Sequence, residues 1–369
     1  MSDFSLNEIM KIYTQIKNIY NNDTNKEQNK YTILQKMGNY FEQQKPMCIY
    51  LLKVLMETRF VRDVSCQYNY IFTPDKCGCD LRELVFNFST KTERDKLLKN
   101  IRTASNNFNV QIPHILTDID DTLFPNYNGF LETMGSDTSW KSHSLYPGIS
   151  KFYKLFYKNL PIKQSQYSTV LTGTPVFLKN KRLHDKQIYR AIGHNYGFIQ
   201  GFDNKRDTIK SLLSGMIEQP FYKFTISSKN LAENKFNKFM QYRQLFPEYR
   251  LLFIGDNGQG DLLTGLKMLE NDPQCLVFIH NILKYNTTYI FSDSDIQKYK
   301  HKRLFIFKNY LELSVKFAKL GYLKFTDLFE IQKEIRNELE ILFKTDKSVN
   351  FYNHYNSNNI PKILRIVLE

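Results

Sequence analysis

Five short apolar runs constrain the fold of this 369-residue chain more than any other feature. They are IPHILTD (112–118), STVLTGT (168–174), RLLFIGD (250–256), QCLVFIH (274–280) and RLFIFKN (303–309), and stretches with helical spacing of apolar residues lie between them. Short buried strands alternating with helices argue for a parallel sheet with crossover helices, an α/β fold whose reactive groups collect at the carboxyl ends of the strands. Three of those ends are notably polar: DIDDT, LTGTP and GDNGQGD.

The rest of the chain is read around that sheet. Residues 1–110 read as a mostly helical region of unknown role, with helical spacing in SLNEIMKIYTQIKNIY and CIYLLKVLMETRFV and a Thr90 to Glu93 capping box opening a further helix. Residues 111–310 hold the strands, and 311–369 read as C-terminal helices packing on them. DLFEIQKEIRNELEILF has period 3.6 and is expected to cover the sheet. LYPGISKFYKLFYKNL is expected to do the same, and NKFNKFMQYRQLFPEY to form a helix ending at Phe246-Pro247.

Composition narrows the class. A chain that is 42% hydrophobic and 15% aromatic can bury a sizeable core, yet no apolar run approaches the length of a membrane span. The N-terminus shows no signal-peptide pattern, so a cytoplasmic protein without a transmembrane segment is expected. Cysteines at 48, 66, 77, 79 and 275 have neither a disulfide framework nor a zinc-site spacing, and read as buried free thiols. The net charge of +14 suggests a phosphorylated substrate or an anionic membrane surface as partner. It equally fits a compositional bias toward Lys, Asn, Ile, Tyr and Phe, since even KNKRLHDK at 179–186 concentrates little of it. No nucleic acid is expected as a partner.

Asp118, Asp120 and Asp121 crowd the end of one buried strand, where they repel one another and are costly to desolvate. Extended residues two apart point the same way, so Asp118 and Asp120 can face one site while Ile119 faces the core. At the second strand end Thr172 offers a hydroxyl, and Gly173 lets the backbone approach an anion. At the third, Asp256 and Asp261 suit a hard cation held through oxygens. Between these, Lys235 and Lys238 lie on one helix. Phosphoryl transfer uses every part, because a carboxylate attacking a phosphate needs a cation and a lysine to offset like-charge repulsion, and the leaving alkoxide needs a proton donor such as Asp120. His143 and His280 read as ordinary polar residues near the site.

In this order the motifs resemble those of the haloacid dehalogenase-like phosphatases. More narrowly, TDIDDTL, YPGI, TGTP, KFNKFMQYRQLFPEYRLLFIGDNGQGD and VFIHNI are similar to the catalytic domain of the actin-patch-associated phosphatidate phosphatases, over roughly residues 113–330. The resemblance implies a Rossmann-like parallel sheet with flanking helices and a minimal cap, and Mg²⁺ as cofactor. It implies Asp118 as nucleophile and metal ligand, and Asp120 as general acid/base with its backbone carbonyl on the metal. It implies Thr172, Gly173 and Lys235 on the phosphate, Asp256 as direct metal ligand and Asp261 as its outer partner, with Lys238 as the alternative lysine. Relatives often carry Ser or Arg in the second motif, as in SARP, where this chain has Thr172-Gly173-Thr174-Pro175, so any contact from that Arg is absent. The expected function is a Mg²⁺-dependent phosphatase working through an aspartyl phosphate, acting on a lipid phosphate such as phosphatidic acid with peripheral membrane contact. The alternatives are a phosphatase of a soluble or protein-bound phosphomonoester, and a non-catalytic lipid- or protein-binding module.

Overall fold

A computed structural model of the chain describes residues 4–21, 26–57, 81–87, 89–108, 111–125, 137, 140–141, 144–162, 167–173, 197–199, 227–258, 260–282, 294, 297 and 303–345. Cys66, Cys77, Cys79, KNKRLHDK, Thr174-Pro175, His143 and the last two dozen residues lie outside them, as do the segments bearing on a cap. Among the described residues five helices come first: α1 (Phe4–Asn21), α2 (Lys26–Gln43), α3 (Pro46–Leu55), α4 (Leu81–Asn87) and α5 (Lys91–Asn106). Then follow β1 (Ile112–Thr117), α6 (Ile149–Asn159), β2 (Thr169–Leu171), β3 (Gly197–Ile199), α7 (Ser228–Leu245), β4 (Tyr249–Asp256), α8 (Asp261–Asn271), β5 (Leu276–His280), β6 (Leu304–Phe307), α9 (Tyr310–Lys319) and α10 (Phe325–Thr345).

The strands form one parallel sheet in the order β3-β2-β1-β4-β5-β6. All five apolar runs are strands of it. β3, in YGFIQ, is an addition: three residues, one of them glycine, carry too little periodicity to announce a strand. The register pairs Ile112–Thr117 of β1 with Tyr249–Ile254 of β4, and Thr117 with Val170 of β2. From β1 the order runs outward one way through β2 and β3, and the other way through β4, β5 and β6. The crevice between β1 and β4 is therefore the switch point at which open α/β sheets place their ligands.

Both faces of the sheet are buried, and alternate residues divide between them. Ile112, Leu116, Tyr249, Leu251, Phe253, Val277 and Ile279 join a core with α1–α5, α7 and α8. Ile115, Val170, Leu252, Ile254, Leu276 and Phe278 join another with α6, α9 and α10. The N-terminal helices thus belong to the wall of the sheet, with a core continuous with it. Thr90 and Glu93 form the expected capping box of α5. Leu328, Ile331, Ile335 and Leu339 of α10 are buried against the sheet side as expected, and Glu338 accepts the Gly148 N–H at the start of α6, 2.7 Å away. Cys48 and Cys275 are buried free thiols. No helix among the described residues is long and apolar enough to cross a membrane.

Candidate active site

Asp118 directly follows β1, and its N–H bonds the Ile254 carbonyl of β4 at 2.9 Å, which keeps it in the sheet's register. Asp256 ends β4 and Asp261 opens α8, where the helix N-terminus favours a carboxylate. One carboxylate oxygen from each of the three lies within 4.8 Å of the others, and all three side chains are buried. Two glycines make the approach possible. A Cβ on Gly255 would fall 2.4 Å from Asp261 Oδ2. At Gly260 φ is +89°, and a Cβ would fall 2.3 Å from the Ser228 carbonyl, so only glycine lets α8 start against the first turn of α7.

α7 begins with Ser227 accepting the Asn230 N–H and ends at Leu245, with Phe246 as its cap before Pro247, which disfavours helical backbone in the residue preceding it. Its buried stripe reads Leu231, Lys235, Phe239, Tyr242: a lysine where an apolar residue is expected. Lys235 is 1% exposed, and its Nζ lies 3.0 Å from Asp118 Oδ1 and hydrogen-bonds Asp261. Burial pulls its pKa down, but Asp118 and Asp261 more than reverse this and hold the ammonium above the ordinary lysine range. Burial, then the charges of Asp121 and Asp118, push Asp256 well above the usual carboxylate range. Burial and Asp118 do the same to Asp261, against the opposing pull of Lys235.

Whether these residues fit a metal can be judged from their oxygens. Asp118 Oδ1, Asp256 Oδ2 and Asp261 Oδ2 are buried without a hydrogen-bond partner, and the Lys235 contact to Asp118 is an ion pair without hydrogen-bond alignment. Three carboxylates against one ammonium leave two formal negative charges out of water. An all-oxygen donor set with that excess suits a hard divalent cation of the Mg²⁺ type, and the residues fit.

Asp120 is 5% exposed and bridges to Phe124 across the turn after β1. Thr172, 1% exposed, and Gly173 follow β2, so they leave the sheet at the same edge as Asp118. A Cβ on Gly173 would meet Leu231 of α7 at 2.6 Å, so this glycine also serves packing. Lys238, likewise buried, follows three residues after Lys235, which is the lysine paired with Asp118 and Asp261.

The chain matches no family model, no curated protein and no solved structure.

Asp121, Asp137, Tyr146 and His280 at this edge received no catalytic or binding role from the sequence. Asp121, the third acid of DIDDT, is fully buried with φ +57°, and its carboxylate accepts the Asp137 N–H at 3.3 Å. Tyr146 donates to Asp137 Oδ2 at 2.5 Å. His280 Nδ1 lies 2.8 Å from the Asp121 carbonyl, and since a carbonyl only accepts, Nδ1 carries the proton. Burial lowers the His280 pKa below the ordinary imidazole value, against the raising effect of that hydrogen bond. The available signal for His280 was its place in VFIHNI, as a polar residue ending an apolar strand. Tyr146 opens YPGI, where it was given no role, and Asp137 carried no signal.

Proposed function

We propose that this chain is a Mg²⁺-dependent phosphomonoesterase of the haloacid dehalogenase-like type, working through a phosphorylated Asp118. The observation that carries the reading is the convergence of Asp118, Asp256 and Asp261, with orphaned buried oxygens, on one lysine at the switch point of a parallel sheet. Asp118 and Asp256 would hold the metal, with the Asp120 carbonyl as the resemblance implies and Asp261 beside them. When bound, Mg²⁺ supplies the positive charge that lets a carboxylate approach a phosphate dianion. Lys235 neutralises part of that charge on the phosphate oxygens, and Asp261 holds its ammonium in place.

In this reading an Asp118 oxygen attacks phosphorus as the ester P–O bond breaks, and Asp120 gives its proton to the leaving oxygen. Water then attacks the acyl phosphate, Asp120 takes back a proton, and Asp118 leaves as a carboxylate with inorganic phosphate. Thr172 and the Gly173 N–H are assigned to the phosphate oxygens. Retention of nucleophile, proton donor, cation ligands and lysine together favours an enzyme over a binding module.

Phosphate release from an aryl phosphate tests this. We expect Mg²⁺-dependent turnover that EDTA abolishes and Asp118→Asn reduces to background, and full activity in EDTA would refute the mechanism. For the substrate we propose a lipid phosphate such as phosphatidic acid, on the resemblance and the net charge of +14, since each basic residue near an anionic surface contributes about 1 kcal/mol. Hydrolysis of phosphatidic acid in mixed micelles should then fall as salt rises. Indifference to anionic vesicles, with efficient turnover of soluble esters, would assign a soluble substrate.

A further inference from the structure

We propose that His280 is a positioning residue for Asp120: its Nδ1–H holds the Asp121 carbonyl, fixes the left-handed turn there, and so aims the proton donor. The proposal rests on the phosphatase reading above and extends it to a residue to which that reading gives no role.

Asp121 is the one non-glycine residue with positive φ among those described. Left-handed backbone at a residue with a Cβ is disfavoured, least so for Asp and Asn, and persists where surrounding contacts hold it. Inside the turn, the Asp121 N–H bonds the Phe124 carbonyl at 2.9 Å and the Leu123 N–H bonds the Ile119 carbonyl at 2.8 Å. Two carbonyls then point out of the turn into the protein, those of Asp121 and Thr122, both fully buried residues. Each meets a side-chain donor from another element: His280, last residue of β5, reaches Asp121 at 2.8 Å, and the Tyr310 hydroxyl, at the start of α9, reaches Thr122 at 2.9 Å. Loss of either donor would remove a buried hydrogen bond that holds the turn.

His280 is itself held. Its ring stacks on Phe307 with centroids 5.0 Å apart and planes 15° apart, and the edge of Tyr146 meets it at 4.8 Å. Its backbone is in register with Asp256, so the clamp is built on the strand beside the metal-ligand candidate. At 3% exposure, with Nδ1 committed to a backbone carbonyl, the ring acts through the turn and not on a substrate. Asp120 immediately precedes Asp121, the left-handed residue whose carbonyl is held. A shift of about 1 Å there is enough to cost on the order of 100-fold in rate.

Three substitutions separate the clamp from packing. His280→Leu keeps volume without a donor, His280→Asn keeps a donor at the Nδ1 position, and His280→Gln moves the donor farther out. We expect His280→Leu to lose kcat on an alkyl phosphate by about 100-fold with KM within about twofold, and to lose less on an aryl phosphate, whose leaving group needs little protonation. His280→Asn should recover to within about tenfold of wild type, and His280→Gln should behave like Leu. Beryllofluoride with Mg²⁺ should still raise the Tm of each variant, because Asp118 stays in place. Equal losses on both esters, a lost beryllofluoride shift in His280→Leu, or no rescue by Asn would overturn the proposal. If His280→Leu does not fold, the Asn and Gln pair makes the same comparison. A wild type that turns over neither ester and ignores beryllofluoride would instead remove the phosphatase reading. Amide hydrogen exchange at Asp121 and Leu123 then decides the clamp alone: faster in Gln than in Asn supports it, and equal rates overturn it.

Discussion

At Asp118, Asp256 and Asp261, charge and burial are opposed, and Lys235 offsets only part of the conflict. In metal-free protein, Asp118→Asn should raise Tm by about 1–2 °C, roughly what 1 kcal/mol gives in a chain of this size, while abolishing turnover. Lys235→Ala should do the opposite to stability, lowering Tm in EDTA and recovering on addition of Mg²⁺. A fall in both would show the acids to be ordinary ion-pair partners. His114 supplies a pH test away from the site. It is fully buried, with Nε2 2.9 Å from Thr169 Oγ1 and 3.1 Å from the Tyr242 hydroxyl, and burial lowers its pKa from 6.5 to about 3. Because the folded-state value lies below the unfolded one, the unfolded chain takes up the extra proton. Stability is therefore full above pH 6.5 and falls as pH drops toward 3, by up to about 1.4 kcal/mol per unit. A His114→Gln variant should show a shallower loss of Tm between pH 7 and 4.5, and parallel curves would contradict this.

Element ends set the geometry of the site. α8 starts where a left-handed Gly260 meets the Ser228 carbonyl, and the same start fixes Asp261 over Gly255. Gly260→Ala should cost about 1–3 kcal/mol and reduce turnover as well, since neither contacting group is a flexible side chain that could yield. Thr90→Ala, at the capped start of α5, should cost about 1 kcal/mol and leave kcat unchanged. Urea unfolding and kinetics on the two variants check both. Equal kinetic effects would mean that Gly260 acts only through global stability.

For the molecule as a whole, the N-terminal helices and the sheet share one core, and a buried ion pair lies within it. Lys53 of α3 donates to Glu248 Oε1 at 2.7 Å and to the Leu245 carbonyl at 2.7 Å, both fixed by the α7–β4 connection. Lys53→Met should cost about 3–5 kcal/mol, because it leaves a buried carboxylate uncompensated. The double variant Lys53→Met with Glu248→Leu should recover most of that loss. If the single substitution were neutral, the N-terminal helices would be far more loosely attached than their shared core implies.

Strand positions, the sheet-covering helices and the capping box were legible because each depends on local periodicity: alternate burial on both faces of the sheet, a 3.6-residue stripe, a short polar signal at a helix start. The acids and Lys235 were legible because charged residues interrupt those same apolar patterns. The sequence alone therefore determined an α/β chain with helices around a parallel sheet and a polar edge. Only the tertiary structure decided that β1 and β4 are neighbours, that Lys235 sits between Asp118 and Asp261, and that Asp121 answers to Asp137 and His280. These depend on contacts between residues from 16 to 159 positions apart, and the period of one segment carries no record of which other segment it will face.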